Sequence, residues 1–573
     1  MRGKKGILLL VSAVVMAVVS VLTGVYLSSL VTEKRSSDTD RLAGQSLNLA
    51  EAGVNQALAE LRKRIGTDLR VKVEAITKAS TVNAYAADPL GFIRDYAYAS
   101  GEPQFSISGN KAVLTITPVT LNSTVEDEGD FEQTTITITS AGTPLMNLAD
   151  ELFYFYYTYE IESKGRITRY TPALEKTVAL APNDFTLVIR RDNFAKFALF
   201  TNHHMTVNGG TVWFTSNTNF SGPVHTNDRF SFASNPSASF TDVVTQHKDT
   251  ARFYNDGGKT LFLDDYRNED IDVPQFSTTD GSTFFRGEGI INLESSLNAE
   301  DLKQEATAGQ NLSNGVYLPL DSSNNVVGGI YVNGSIGSNS DNPVITMAVD
   351  SNDNSQYTIV RGSNTYVVTV DLVNNQTTFV DPVNGTHTYS GIPDGAGDEG
   401  ILIYVDDDIA GLSGVVQHAT HITVSSSRNV VIKDNITYQN YVASPLNADD
   451  YENMLGIIAW NGNVSIGATA SNNVSIHAII MAEHGIFTVD NYDSGSSRGT
   501  ATLLGGVITD YYGPFGTFSG GSALSGYGRN FVYDPRVQNG VTPPYFPYMT
   551  SFTSNIEPSD ALYKKTVWRQ KEG

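Results

Sequence analysis

Ile7 to Val31, ILLLVSAVVMAVVSVLTGVYLSSLV, is a run of 25 residues without a charge. A helix rising about 1.5 Å per residue carries such a run across about 38 Å, enough for the hydrocarbon core of a bilayer with some tilt. Arg2, Lys4 and Lys5 stand in front of it and Gly6 adjoins it. Cations on that side belong in the cytoplasm, which puts the bulk of the chain outside. A removable signal has an apolar run of about 7–15 residues followed by a small-residue cleavage site. This run is longer, and Ser28, Ser29 and Thr32 near its end form no Ala-x-Ala pattern. The stretch therefore reads as an anchor, with most of the 573 residues as its cargo.

The helical pattern runs on into water. Leu47, Ala50, Val54, Leu58, Leu61 and Ile65 fall at spacings of 3, 4, 4, 3 and 4, one apolar stripe of an amphipathic helix. Arg62, Lys63 and Arg64 occupy the expected last turn, where cations complement the dipole, and Gly66 offers a stop. The expectation is one helix over residues 7–66, apolar all round at first and one-faced later. Gly24, Gly44 and Gly53 are its expected weak points.

Composition bounds the rest. A chain of 573 residues is too long for one core, and 40% hydrophobic residues exclude general disorder. Charged residues make up only 17%, while 50 Gly and 28 Tyr point to a β-rich, turn-rich protein. Without cysteine there is no disulfide framework, thiol nucleophile or Cys-based metal site. The net charge of −23 is uneven: residues 1–65 carry nine Lys/Arg against five Asp/Glu, and the remainder 29 against 56. An acidic ectodomain is a poor general binder of nucleic acid, although a local basic patch stays open.

Residues 67–193 read as a small sheet domain. Val71, Val73, Ile76 and Ala79 suggest a short helix ending near Asp88-Pro89, and period-2 runs follow at Ala112–Thr117, Thr134–Ile138 and Phe153–Arg169. From residue 194 to about 545 the texture changes to short strands broken by Gly, Asn, Asp and Ser, such as Gly329–Val332, Ile401–Val405, Ile457–Ala459, NGNVSI and NNVSI. Such ladders suit a β-sandwich or a β-solenoid. The scarcity of two-residue hairpin signals favours the solenoid, with a hairpin insertion at about 357–389 around Asn374-Asn375. The tail, 546–573, is expected to return a last strand around Trp568 to the stem sheet. The expected fold class is an α+β stem, a long N-terminal helix plus antiparallel sheet, with a large all-β head.

Three stretches carry a resemblance. The basic leader ending in Gly6 before an uninterrupted apolar helix resembles a class III (type IV pilin) leader, residues 1–6. Asn48-Leu49-Ala50-Glu51-Ala52-Gly53 resembles the "AAEAG" signature of the PilX-type minor pilin N-terminal region. The row Tyr-x-Ile-x-Ser-x-Gly, Tyr159 to Gly165, is similar to the central sheet strand of such pilins. The resemblance implies cleavage between Gly6 and Ile7 by a prepilin peptidase. It also implies passage through the inner membrane and assembly with other pilin subunits by pilus machinery onto the cell surface. Most pilins carry a glutamate at the fifth mature position, where this chain has Val11; that departure fits a tip-type minor pilin. Phe220–Asn227, Gly328–Val332 and Gly526–Phe531 resemble uncharacterised domains of large bacterial minor pilins. Among these is a competence-associated kind whose β-solenoid head is proposed to capture DNA.

Candidate chemistry is sparse. Asp264-Asp265, Glu269-Asp270-Asp272 and Asp406-Asp407-Asp408 are the carboxylate clusters a polysaccharide-processing β-helix would use, and equally the ordinary content of acidic turns. Asp350–Asn354 starts like a calcium loop but lacks Gly at its sixth position and Glu at its twelfth. His203 and His204 are neighbours and point to opposite faces of a strand, and His418 and His421 lack a third ligand. His225 sits in the Gly-Pro-Val-His-Thr-Asn turn, as a structural hydrogen-bonding group before a catalytic one. Arg190, Arg191 and Lys196, and at the C-terminus Lys564, Lys565 and Trp568, are the cationic and stacking groups a ligand could use. No catalytic, metal or cofactor motif is present. The expectation is a non-enzymatic minor pilin whose head captures a ligand or adheres, to DNA or a surface glycan. The alternatives are a DNA-capturing receptor of a transformation pilus and a membrane-anchored β-helix polysaccharide-processing enzyme.

Overall fold

The computed structural model describes residues 3–571 except 117–129, 148–151, 168–173, 217, 234–237, 255–259, 264–273, 277–283, 295–296, 334–341, 398–399, 443–450, 520–521 and 564–567. The chain divides into two compact units, 1–191 with 551–573, and 192–550.

The first unit is built on a long helix. α1 (Gly3–Leu61) passes through a π-helical turn (Arg62–Asp68) into α2 (Leu69–Val73), without a break. The expected stop at Gly66 is therefore corrected. The buried residues Leu61, Ile65, Leu69 and Val73 are spaced by four. A wider π turn keeps such a row on one face, where a regular α-helix of 3.6 residues per turn would let it drift. Arg64 is not a dipole-complementing end group either. It is buried and ion-paired to Glu60 (2.6 Å) and Glu102 (3.1 Å).

A helical run does end just before Asp88-Pro89, at Ala86, and a second helix begins at Pro89. Gly91 N–H donates to Asp88 Oδ1 (3.0 Å) at the head of α4 (Pro89–Tyr96), with Pro89 at the first position. It follows the short α3 (Ala79–Asn83). Antiparallel strands follow: β1 (Ser106–Ser108), β2 (Lys111–Ile116), β3 (Asp130–Ser140), β4 (Leu145–Asn147), β5 (Leu152–Ile167) and β6 (Leu174–Asn193). The sheet order is β1-β2-β3-β5-β6, continued by Tyr548–Glu557; β4 pairs with β5. The last strand, Trp568–Lys571, also lies on β6, with Trp568 opposite Leu180. The second unit is thus inserted in sequence between two strands of one sheet.

The second unit is a large all-β head with one α-helix among the described residues, Ala299–Thr307, capped by Asn298 and Asp301. Its coiled strands pair in parallel with alternate, not adjacent, neighbours in sequence, such as Ile401–Asp406 with His421–Ser426 and Ile409–Val416 with Val430–Tyr438. One ladder carries a continuous column of buried apolar side chains: Ile330, Ile403, Val424, Ile457, Ile480, Val507, Leu199, Val224, Val244 and Phe284. The order shows how the chain is wound. It enters mid-ladder at Leu199, runs to one end at Phe284, restarts at the other end at Ile330, and returns until Val507 pairs with Leu199. A second ladder stacks Ile345, Leu412, Ile432, Ile466 and Val489. Both faces of the first ladder are buried, which is why ILIYV (401–405) and MLGIIA (454–459) are continuously apolar. The hairpin expected at 357–389 is part of a larger antiparallel meander over 344–390; Asn374-Asn375 lie in its turn between Asp371 and Gln376, and its tightest turn is the two-residue loop between Arg361 and Asn364.

Candidate functional site

The N-terminal helix changes character at Leu42. From Gly6 to Arg41 no residue is buried, and Ile7 (67%), Val11 (53%) and Val31 (51%) are exposed. This segment is long and apolar enough to cross a membrane. From Leu42 onward the helix lies on β3 and β5. Ala50 and Gly53 are buried, Glu51 is half-buried and Ala52 exposed. A Cβ at Gly53 would run into Ser163 Oγ and Thr134 Oγ1; one at Gly165 would run into the Ser46 carbonyl and Ala50 N. Ser46 Oγ donates to Gly165 O (2.6 Å), and Ser163 and Thr134 hydroxyls bond each other (2.8 Å). Gly53 is a point of close approach, not a weak point.

The inward row of β5 follows from this. Phe153, Phe155, Tyr157, Tyr159, Ile161, Ser163 and Gly165 shrink along the strand as the helix draws nearer. At the wide end α4 fills the wedge: Phe92 stacks on Phe155 at 5.0 Å, and Tyr157 Oη donates to Pro89 O (2.7 Å).

The cations expected to meet a ligand are engaged. Arg191 is buried, its guanidinium donating to Thr77 O (2.9 Å) and lying 4.6 Å from the Phe552 ring centre. Arg190 is exposed, and its carbonyl accepts from Thr553 (3.3 Å). Lys196 is paired with Asp192 at 2.5 Å. Lys564 and Lys565 lie outside the described residues. Of Trp568 only the strand pairing is described.

His225 is buried, on the Val224–Thr226 strand, and both ring nitrogens are bonded: Nδ1 to Thr245 Oγ1 (2.7 Å) and Nε2 to Asn227 Oδ1 (3.0 Å). Asn227 Oδ1 also accepts from Ile291 N–H (2.9 Å), so Nε2 carries the proton and Nδ1 accepts from Thr245. The Asn227 amide donates to Asn202 Oδ1 (3.0 Å) and Ile291 O (2.7 Å). Burial pulls the imidazole down to about 4, with the Asn227 bond opposing and Lys196 and His247 adding to it. His225 is therefore a neutral rung, stacked 5.3 Å from Phe200.

The acidic clusters are built into turns. Asp406 pairs with Lys303 (2.7 Å) and Asp407 with Arg428 (3.4 Å), and Asp408 accepts from Asn429 N–H (3.0 Å). The Asp350 carboxylate accepts from the backbone N–H groups of Asn352 and Asn354, which holds it below the usual carboxylate range despite burial. Asp264, Asp265, Glu269, Asp270 and Asp272 lie outside the described residues. Among the described residues no three His, Asp or Glu converge as a metal site would require. His203 stacks on Tyr511 at 4.5 Å, while His204 is buried.

Two features escaped sequence reasoning. One is a cleft of about 480 Å³ in the first unit, where Arg62, Gly66 and Arg70 of the π turn and α2 face Asn555, Glu557 and Tyr563. The other is a column of side-chain bonds in the head: Asp408 Oδ1 accepts from Asn429 N–H, Asn429 Oδ1 from Asn463 N–H (2.8 Å), and Asn463 Oδ1 from Ile486 N–H (3.0 Å). The signal was the recurrence of Asn-Val-x-Ile at 429 and 463; its third copy, at 473, makes a separate bond of the same kind, Asn473 Oδ1 accepting from Thr500 N–H (3.0 Å).

A family model described as "Domain of unknown function (DUF4900)" matches residues 153–247. The match starts on the tapering strand β5 and ends just after the head strand Val244–Gln246, so it includes the His225 turn. Comparison with curated proteins finds no match, and neither does comparison with solved structures.

Proposed function

We propose that the chain is a minor pilin. On this reading it is inserted in the inner membrane as a precursor and cut between Gly6 and Ile7. It is then assembled into a type IV pilus or related filament, where it displays the head outside the cell for ligand capture or adhesion. The observation that supports this most is the division of one helix. Its second half is committed to β3 and β5 through Ala50 and Gly53, while its first half offers apolar side chains on every side. Such a surface needs lipid before assembly and other apolar helices afterwards. Val11 in place of a glutamate supports a position at or near the tip. We read the head as a β-solenoid. The apolar column through Ile403 and Ile480 and the asparagine column through Asn429 and Asn463 recur once per coil, as stacked repeats would require.

Between ligand classes a surface glycan is favoured over DNA, because Arg191 and Lys196 are spent on Thr77 and Asp192. A salt-sensitive gel shift with the whole protein would reverse that preference. The pilin reading is tested by Gly6→Val. The variant should stay in the membrane fraction with residues 1–6 attached and vanish from sheared surface filaments. Normal recovery in filaments sinks the reading.

A further inference from the structure

The motif Gly526–Phe531 and the His203-His204 pair are not absorbed by this function, and the head brings one residue of each together. His204 is 3% exposed and neither ring nitrogen has a hydrogen-bond partner among the described residues. Phe214, Phe230 and Tyr512 stand edge-on around it, with ring centres at 4.6, 4.8 and 5.4 Å. The Tyr512 hydroxyl is also buried and unpartnered. Arg529 lies with its guanidinium 5.1 Å from the Tyr512 ring centre and 6.0 Å from that of Phe515. The guanidinium makes no hydrogen bond or ion pair to a described residue, yet the residue is only partly exposed.

Three polar groups thus gather around one tyrosine ring without an acceptor for their protons among the described residues. The geometry points to a binding site for a single carboxylate, gripped by the Arg529 fork with the Tyr512 hydroxyl and a His204 N–H as further donors. Charge selects the class. Burial and the Arg529 charge pull His204 down to about 3, so it is neutral in physiological water. Burial alone draws Arg529 down to about 10. The cluster therefore carries one positive charge, which matches a monoanion rather than a phosphate dianion. A planar carboxylate also fits the guanidinium fork bidentately. Water would satisfy His204 and Tyr512 but would leave the half-buried Arg529 charge without a counter-charge. The aromatic walls supply apolar surface for whatever bears the carboxylate, an acidic sugar or a free organic acid. The proposal deepens the ligand-capture reading of the head and needs that reading only for the biological source of the carboxylate. Binding can fail while filament assembly stands, and the reverse.

The test is titration of the full-length protein in detergent, by calorimetry and saturation-transfer NMR, with acetate, D-glucuronate and inorganic phosphate. Acetate and glucuronate should bind saturably. Arg529→Gln should weaken both by about tenfold or more and Tyr512→Phe by about threefold, because charge-assisted bonds are about twice as strong as neutral ones. Lys433→Gln, exposed elsewhere in the head, should change nothing. Glucuronate binding tighter than acetate identifies an acidic sugar as the source; equal binding identifies a free acid. Absence of saturable carboxylate binding, tighter binding of phosphate, or wild-type affinity in both variants overturns the proposal. If Arg529→Gln fails to fold, Tyr512→Phe decides alone.

Discussion

At the scale of single residues the first unit is set by how closely a helix can approach a strand. Gly53 and Gly165 face each other across that approach, and Ser46 and Ser163 fill it with hydroxyls. Gly53→Leu should destabilise the unit by about 1–3 kcal/mol or more, since overpacking a close contact forces both backbones apart. Thermal unfolding of that unit is the measurement, with Gly44→Leu, which faces open space, as the near-neutral comparison. The head depends instead on buried neutral histidines. His204 is pulled to about 3, His225 to about 4 and His477 to about 4, each chiefly by burial. Their folded values lie below the unfolded value of about 6.5, so their contribution is full above pH of about 6.5 and is lost as pH falls towards 4. The cost is at most about 1.4 kcal/mol per pH unit and per histidine. The head's unfolding midpoint should therefore fall by several degrees between pH 7 and pH 5, above the range where carboxylates titrate. A flat midpoint over that interval would show that these imidazoles are protonated without penalty.

At the scale of elements the sequence was legible where one period dominates. The stripe through Ala50, Val54, Leu58, Leu61 and Ile65 named the buried face of the helix, because a one-faced helix leaves its period in the sequence. It did not reveal where the helix ends, because a π turn tolerates Gly66 and turns spacing of four into a straight row as far as Val73. Asp88-Pro89 reads as a stop or a start and is both: one helical run ends at Ala86, and the Asp88 carboxylate on Gly91 N–H starts the next. In the head, Asn-Val-x-Ile was visible, but the bond from one asparagine to the next coil joins residues 34 apart, as for Asn429 and Asn463, and no local pattern carries that. Asn463→Ala breaks one link of the column, the bond from Ile486 N–H to Asn463 Oδ1, and should cost about 1–2 kcal/mol by leaving a half-buried donor without its acceptor. Asn461→Ala, whose side chain makes one long bond of 3.4 Å to Ser427 O, should cost less than half as much in the same chemical-denaturation experiment.

At the scale of the whole molecule the winding was beyond sequence reading. The head's first strands stack on its last, so Leu199 meets Val507 and neither half of the ladder is complete without the other. The chain leaves and re-enters one sheet, through β6 and Tyr548–Glu557, with Trp568–Lys571 closing on β6. The cations proposed for a ligand were visible as residues but not as partners: Thr77 and Asp192 claim Arg191 and Lys196 only once the fold has formed. The exposed helix half remains the feature that ties architecture to the proposed role. The most direct measurement is the N-terminal mass of the chain recovered from filaments sheared off intact cells. The account predicts a chain that begins at Ile7, present in the filament fraction. A chain that begins at Met1 and is confined to the membrane would contradict it.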